Sequence, residues 1–175
     1  LSHAEFPKSL ESWDVALTVM AKAPAVLTAA CSEYLEISKG SIVNISSTNA
    51  NFISEQPITY HAAKAALEHL TKWLAIELGP KGIRINTILP GLIDKVDRVE
   101  KQRNLHKRNT IINSLVPLGR AGSSTDIAEM AMFLLSNKSD YITGQSFILD
   151  GGISNLDQNF AANKVLNINT NKTLK

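Results

Sequence analysis

Three polar side chains in the first half of the chain have the types and the spacing of an acid–base site. Tyr60 and Lys64 are four residues apart, so on a helix they would lie on one face. A neighbouring cation favours the phenolate form of a tyrosine, which makes the pair an acid–base unit. Ser47 lies thirteen residues before Tyr60, directly after a short apolar run. The end of a strand and the start of a helix could bring these groups to one small substrate.

The elements that would carry these residues alternate between helices and strands. Ser12 and Ser123 are predicted N-caps, and Pro24 is predicted to kink or break the first helix. Helices that connect buried strands indicate a parallel sheet with helices on its faces, so the expected fold class is α/β. The predicted helices cover residues 13–35, 58–78 and 124–135, and the predicted strands cover 41–45, 83–89 and 146–149.

Composition narrows the possible functions. The chain has 175 residues, of which 44% are hydrophobic and 19% are charged, as expected for one globular domain. A net charge of +2 gives no argument for nucleic acid, and no apolar run approaches the roughly 20 residues of a membrane helix. We therefore expect neither partner, and no metal site is predicted. The single cysteine, Cys31, fits a reducing compartment, so a cytoplasmic location is expected.

Several short motifs follow one another in a characteristic order. A Tyr-x-x-x-Lys pair alone occurs by chance in many helices, so the order of the whole set carries the argument. The set consists of Gly40-Ser41-Ile42-Val43-Asn44-Ile45-Ser46-Ser47, Tyr60-x-x-x-Lys64, Ile85-Asn86-Thr87-Ile88-Leu89-Pro90-Gly91, Pro117-Leu118-Gly119-Arg120, Phe133-Leu134-Leu135-Ser136, Tyr141-Ile142-Thr143-Gly144-Gln145 and Asp150-Gly151-Gly152. From about Trp13 to Gly152, the chain resembles the short-chain dehydrogenase/reductase family.

The resemblance implies roles for the three polar residues. Tyr60 would be the acid/base that gives a proton to a carbonyl oxygen or removes it from an alcohol. Lys64 would make the phenol more acidic and would bind the nicotinamide ribose together with Tyr60. Ser47 would hydrogen-bond the reacting oxygen. The implied substrate is a small molecule with a carbonyl group, an imine-like C=N group or an alcohol.

The resemblance also implies a cofactor loop. Pro90, Gly91, Leu92 and Ile93 would pass the nicotinamide carboxamide, and the backbone of Ile93 would bond the amide. The implied cofactor is NAD or NADP, with NADPH slightly favoured. Trp73 is expected in the core or at an interface, and His61 and His69 are expected to be ordinary polar positions of the helix.

Three features depart from the family pattern: a missing loop and two residues. The glycine-rich phosphate loop is not found before Trp13, so residues 1–152 are expected to form the C-terminal half of a doubly wound, Rossmann-like domain. Residues 153–175 are expected to be a polar tail rich in asparagine and lysine. Met20 stands where the family usually carries an asparagine of the proton relay. Lys95 stands where a phosphate-binding threonine is common.

Several alternatives stay open at this point. The pteridine-reductase and 3-oxoacyl-carrier-protein reductase subgroups both fit. The charged residues 94–108 could form a solvated helix or a lid over the substrate. The expected assembly is a homodimer or homotetramer that uses the helices 13–35 and 58–78. The chain could also be a truncated, non-catalytic member that serves as a dimerisation or structural module.

Overall fold

A three-stranded parallel sheet with helices packed on it forms the framework, and the expected α/β class is confirmed. We describe a computed structural model, which covers residues 10–94, 112 and 114–166. The strands are β1 (Ser41–Ile45), β2 (Arg84–Pro90) and β3 (Ser146–Leu149). The helices are α1 (Leu10–Leu17), α2 (Ala23–Ala30), α3 (Ser32–Ser38), α4 (Ile58–Leu78), α5 (Ser124–Leu135) and α6 (Gln158–Leu166).

The strand β2 lies in the middle of the sheet and forms the centre of the core. The strand order in the sheet is β1-β2-β3, and both neighbours run parallel to β2. Ile85, Ile88 and Leu89 are fully buried, because both faces of this strand are covered. The helix α4 packs on β2 and contributes the buried side chains of Ala63 and Leu67. The predicted strand 83–89 is thus one residue out of step with the observed one.

The first long helix is interrupted where the sequence predicted a break. A π-helical turn, Thr18–Lys22, separates α1 from α2, and the backbone N–H of Ala23 donates to the carbonyl of Thr18. Pro24 lies in the first turn of α2, where its missing N–H costs least. The predicted N-cap Ser12 is wrong, because α1 already includes Leu10. Apolar periodicity located the helix, but a serine near its start did not fix its end.

The stretch Leu10–Ala30 departs from another expectation. By length and composition alone this stretch could cross a membrane, whereas we expected from the sequence no apolar segment long enough to do so. Only 11% of this stretch is buried within the described part of the chain. One such helix near the N-terminus is weak evidence for a membrane span, and both α1 and the π-helical turn pack against α4. Its contacts are therefore those of a helical layer on the sheet.

Residues with left-handed backbone angles follow two of the helices. The helix α4 ends at Leu78 as predicted, but Gly79 has ordinary helical angles and the left-handed residue is Gly82, with φ of 76°. At the end of α3 the left-handed residue is Lys39, with φ of 50°. Gly40 follows it, and a Cβ there would lie 2.7 Å from a methyl carbon of Leu35. A larger residue at this position would therefore have to displace that methyl group of Leu35.

The C-terminal segment contains more structure than a tail. The helix α6 covers Gln158–Leu166, where the sequence predicted only a polar tail. Asp157 accepts a hydrogen bond from the backbone N–H of Phe160 at 2.9 Å, which is the bond of a helix N-cap. Residues 167–175 lie outside the described residues, and so do Lys95 and most of the predicted lid or solvated helix at 94–108.

The helix α5 is fixed at both ends by polar contacts. Ser123 and Asp126 form a reciprocal capping box, as predicted. At the other end, the guanidinium of Arg84 donates to the carbonyls of Leu134 and Ser136 and to the hydroxyl of Ser139, at 2.9 to 3.0 Å. A positive charge at the carboxyl end of a helix also complements its dipole. These bonds join β2 to the far end of α5.

Candidate active site

The three polar residues lie where β1 and α4 meet. Ser47 follows the carboxyl end of β1 and is buried, and its hydroxyl accepts a hydrogen bond from the backbone N–H of Asn49 at 3.2 Å. Tyr60 lies in the first turn of α4 and is half-buried, and Lys64 lies one turn further along. The helix α4 also packs on the short turn Thr48–Ala50 that Ser47 begins. A strand end and a helix start thus border the same region.

Lys64 is held by the end of β1. Its ammonium group donates a hydrogen bond to the carbonyl oxygen of Ile45 at 2.9 Å. The hydroxyl of Ser46 donates to the carbonyl of Lys64 at 3.2 Å and adds a second tie between strand and helix. The ammonium nitrogen lies 5.8 Å from the centre of the Tyr60 ring. Burial lowers the pKa of Lys64 below its usual value, because part of its hydration is lost.

A tight backbone approach marks the loop after β2. Pro90 is the last residue of β2, and the N–H of Gly91 donates to the carbonyl of Leu149 at 2.9 Å. A Cβ on Gly91 would lie 2.5 Å from the Cβ of Asp150 and 2.9 Å from its Cα. No side chain fits there, so glycine is required for β2 and β3 to end side by side.

The residues after Gly91 form a short bridge with a distant segment. Ile93 pairs with Gly122 in parallel, through bonds from Gly122 N–H to Leu92 O at 2.9 Å and from Asp94 N–H to Gly122 O at 2.8 Å. Because these bonds use the groups on either side of Ile93, its own amide and carbonyl face away from Gly122.

A cavity of about 240 Å³ adjoins the same loop. Its lining includes Ile93, Leu149 and Asp150 and the ion pair of Arg120 with Asp126, whose closest atoms are 2.8 Å apart. The bonds from Arg120, followed by those from Ser123, hold the pKa of the Asp126 carboxyl well below its usual range. The lining thus combines apolar and charged side chains.

One residue near the site differs from the sequence-based expectation. His61 is buried and both of its ring nitrogens have partners, so it is not an ordinary surface position, whereas His69 is exposed. His61 lies four residues after Pro57, whose carbonyl it bonds, and this spacing is the one feature of the sequence that could have indicated the contact.

Met20 lies in the π-helical turn that packs on α4, a type of turn that is frequent at functional sites. Within residues 10–94, 112 and 114–166, no three acidic, histidine or cysteine side chains form a group that could hold a metal ion.

Comparisons with known proteins agree with this architecture. A family model described as enoyl-(acyl carrier protein) reductase matches residues 4–154. The chain is 35% identical over 148 residues to 2,5-dichloro-2,5-cyclohexadiene-1,4-diol dehydrogenase of Sphingobium indicum, which covers 84% of this chain and 58% of that protein. It is 38% identical over 133 residues to the peroxisomal 2,4-dienoyl-CoA reductase of Saccharomyces cerevisiae, which covers 75% of this chain and 44% of that protein.

A solved structure gives the same picture. The 3-oxoacyl-[acyl-carrier protein] reductase of Brucella melitensis with bound NAD superposes with a TM-score of 0.72 at 29% identity, over 83% of this chain and 53% of that one. The chain thus spans about half the length of the relatives that it matches. These relatives are all named as reductases or dehydrogenases. With the family model matched over most of its length, the chain belongs to the short-chain dehydrogenase/reductase family.

Proposed function

We propose that the protein is a nicotinamide-dependent oxidoreductase, with Tyr60 as acid/base, Lys64 as its charge partner and Ser47 as the donor to the reacting oxygen. The observation that carries the proposal is the placement of Lys64. Its ammonium is half-buried, bonded to Ile45 at the strand end and 5.8 Å from the centre of the Tyr60 ring. A fold that keeps a partly buried cation on the same helix face as a phenol provides the charge partner that general acid–base chemistry needs.

The proposed residues divide the work of a carbonyl reduction. The bound cofactor supplies a hydride to the carbonyl carbon. The hydroxyl of Tyr60 gives its proton to the carbonyl oxygen, and the charge of Lys64 stabilises the phenolate that remains. The hydroxyl of Ser47 donates to the same oxygen as negative charge develops on it. In the reverse direction, the phenolate of Tyr60 takes the proton from an alcohol.

The loop after β2 fits a nicotinamide. Gly91 lets the backbone pass Asp150 without a side chain, and the amide and carbonyl of Ile93 face away from the bridge with Gly122. We therefore place the carboxamide of NAD or NADP along Pro90, Gly91, Leu92 and Ile93, and the ribose near Tyr60 and Lys64. The Brucella relative holds NAD, and we slightly favour NADPH for this chain.

We further propose an acyl thioester as the substrate class. The matched family model and two of the relatives above carry names of acyl reductases. Exposed apolar side chains border the proposed site: Phe52 and Ile53 lie between Ser47 and Tyr60, and Leu92 lies in the cofactor loop. An apolar acyl chain would cover them. Comparing the rate with a 3-oxoacyl thioester to the rate with a pterin, the substrate type of the pteridine-reductase subgroup, tests this class. A faster reaction with the thioester would support it.

The test compares two tyrosine variants in the full-length protein. Oxidation of NADH and of NADPH is followed with 3-oxoacyl thioesters and simple ketones. Tyr60→Phe removes only the hydroxyl and is expected to lower kcat by about 10²-fold or more. Tyr34→Phe makes the same change at a side chain that is 75% exposed, and it is expected to keep full activity. Equal rates for Tyr60→Phe and the unaltered protein would refute the proposed mechanism.

The exposed helix faces support self-association. Trp73 and Ile76 on α4 are 58% and 76% exposed, and the first long helix adds exposed apolar side chains at Val15, Val19, Val26 and Leu27. Apolar faces of this size are typical of subunit interfaces. We therefore favour a homodimer or homotetramer built on these helices, and Trp73→Glu is expected to shift sedimentation to a smaller species. A non-catalytic dimerisation module would associate in this way but would not turn over substrate.

The free edge of β1 supports a larger domain. Within the described residues β1 pairs only with β2, and a cavity of about 390 Å³ lies beside it, lined by α2, α3 and β1. We propose that this edge pairs with a further strand, so that residues 1–152 form the C-terminal half of one Rossmann-like domain. A native protein whose mass clearly exceeds the 19.0 kDa of this chain would support this proposal.

We propose a cytoplasmic location, whereas the yeast relative is named as peroxisomal. Cell fractionation tests the two compartments.

A further inference from the structure

His61 follows the proposed acid/base residue directly and is enclosed by its surroundings. Its side chain is 8% exposed, although it lies near the start of a surface helix. Nδ1 lies 3.0 Å from the carbonyl oxygen of Pro57, and Nε2 lies 3.1 Å from the backbone nitrogen of Ser54. The ring therefore joins the first turn of α4 to the loop before it.

The two partners determine the tautomer. A carbonyl oxygen can only accept a hydrogen bond, and a backbone N–H can only donate one. The proton therefore sits on Nδ1, and Nε2 accepts from Ser54. Only the neutral ring with this tautomer makes both bonds.

Backbone groups also bond across the junction of the loop and the helix start. Pro57 is the N-cap of α4 and makes no side-chain capping bond. Its carbonyl accepts from the N–H of Tyr60 at 3.0 Å as well as from His61. The hydroxyl of Ser54 accepts from the N–H of Gln56 at 3.2 Å, which closes the turn before Pro57.

The position of this clamp gives it a consequence for the site. The clamped loop lies between Ser47 and Tyr60, so it borders the place where both would meet a substrate. Ile53 precedes Ser54, and its side chain is 90% exposed. A loop held against the helix limits the positions that this side chain can take.

We propose that His61 is a positioning residue: its neutral ring holds the loop 52–57 against the first turn of α4, and the loop then forms one wall of the substrate site, with Ile53 facing an apolar part of the substrate. This inference rests on the proposed function, because the wall matters only if Tyr60 protonates a substrate there. Tyr60 stays on its helix without the clamp, so the effect falls on substrate binding more than on the chemical step.

Three substitutions in the full-length protein separate the two bonds. His61→Gln places an oxygen near the position of Nε2 and keeps the acceptor for Ser54. His61→Asn places an amide nitrogen near the position of Nδ1 and keeps only the donor to Pro57. His61→Ala removes both. His69→Ala is the matched control, because that histidine lies on the same helix and is exposed.

Two measurements follow. Hydrogen exchange of the Ser54 amide is expected to be about three- to tenfold faster in His61→Ala and His61→Asn, and near the original rate in His61→Gln. The KM for an apolar ketone or acyl thioester is expected to rise about three- to tenfold in His61→Ala and His61→Asn, with kcat changed by less than about twofold. His61→Gln should recover KM, and His69→Ala should change neither quantity.

The outcomes distinguish this inference from the proposed function. Unchanged exchange at Ser54 in His61→Asn overturns the clamp. Faster exchange with an unchanged KM, or a loss confined to kcat, overturns its role in substrate binding. A protein that keeps full activity as Tyr60→Phe refutes the proposed function instead, and the exchange rates still decide whether the clamp exists.

Discussion

Lys64→Met tests whether the ammonium of Lys64 is kept for chemistry or for stability. Methionine has a similar length and replaces the apolar stem, so the substitution removes mainly the charge. The lost interaction is one hydrogen bond to the carbonyl of Ile45 at 2.9 Å. Because Ile45 is 44% exposed, water can take the place of the ammonium at that oxygen.

The expected effects on stability and on activity differ in size. A hydrogen bond from a charged donor contributes about 1.5–3 kcal/mol, and partial exposure reduces that amount. The lowered pKa of Lys64 means that burial opposes the charged form, so its removal offsets part of the loss. We expect the free energy of unfolding to change by less than about 1 kcal/mol. Losing an acid–base partner should lower kcat/KM by about 10²- to 10⁴-fold.

Urea unfolding and steady-state kinetics measure the two effects in the full-length protein. Lys39→Met is the control, since Lys39 donates to the carbonyl of Lys81 at 3.0 Å on the exposed surface away from the site. It should leave both quantities nearly unchanged. A destabilisation by Lys64→Met above about 2 kcal/mol would show that the ammonium is chiefly structural. An unchanged kcat/KM would refute its role in proton transfer.

Three further outcomes test the framework of the site. Gly91→Ala should weaken NADPH binding in titrations, because its Cβ would meet Asp150 at 2.5 Å, whereas Gly79→Ala, with open space around the new methyl, should not. Arg84→Met should cost about 3 kcal/mol of stability in urea unfolding, with partial recovery in Arg84→Lys, since two bonds to the end of α5 and two to the segment after it are lost. The pKa of Asp126 is lowered in the folded protein, so its carboxylate stabilises the fold above about pH 4, and this stability is lost as the pH falls. Asp126→Asn should therefore lower the melting temperature at neutral pH, and the difference from the unaltered protein should narrow in acid.

The contrary results are equally specific. Equal NADPH affinity in Gly91→Ala would mean that the loop moves freely around Asp150. Equal stability in Arg84→Met would mean that water replaces the guanidinium at the helix end. A difference in melting temperature that stays constant down to pH 3 would mean that the Asp126 carboxyl is not held by Arg120.

Local patterns located most elements because those elements carry their signals within a few residues. The spans 41–45, 58–78, 124–135 and 146–149 are observed as predicted. The capping box at Ser123 is a local contact, so the sequence was sufficient for it. Helix ends were predicted less well. Ser12 lies inside α1, and the left-handed residues after α3 and α4 are Lys39 and Gly82.

The candidate site divides in the same way. Residue types and spacing selected Ser47, Tyr60 and Lys64, because a helix places positions i and i+4 on one face whatever surrounds it. The neighbours of that face depend on how β1, α4 and the loop after β2 pack. The bond from Lys64 to Ile45 and the contact of Gly91 with Asp150 join residues that only the folded chain brings together. The partners of His61 lie only four and seven residues before it in the chain.

The sequence by itself determined the α/β class, the order of the elements and the acid–base pair, since each depends on periodicity or on contacts a few residues apart. Tertiary structure decided which groups are desolvated and what they touch. Burial lowers the pKa of Lys64, and Asp150 after β3 leaves no room for a Cβ on Gly91. Both effects depend on segments that are distant in the sequence, and no local pattern records them.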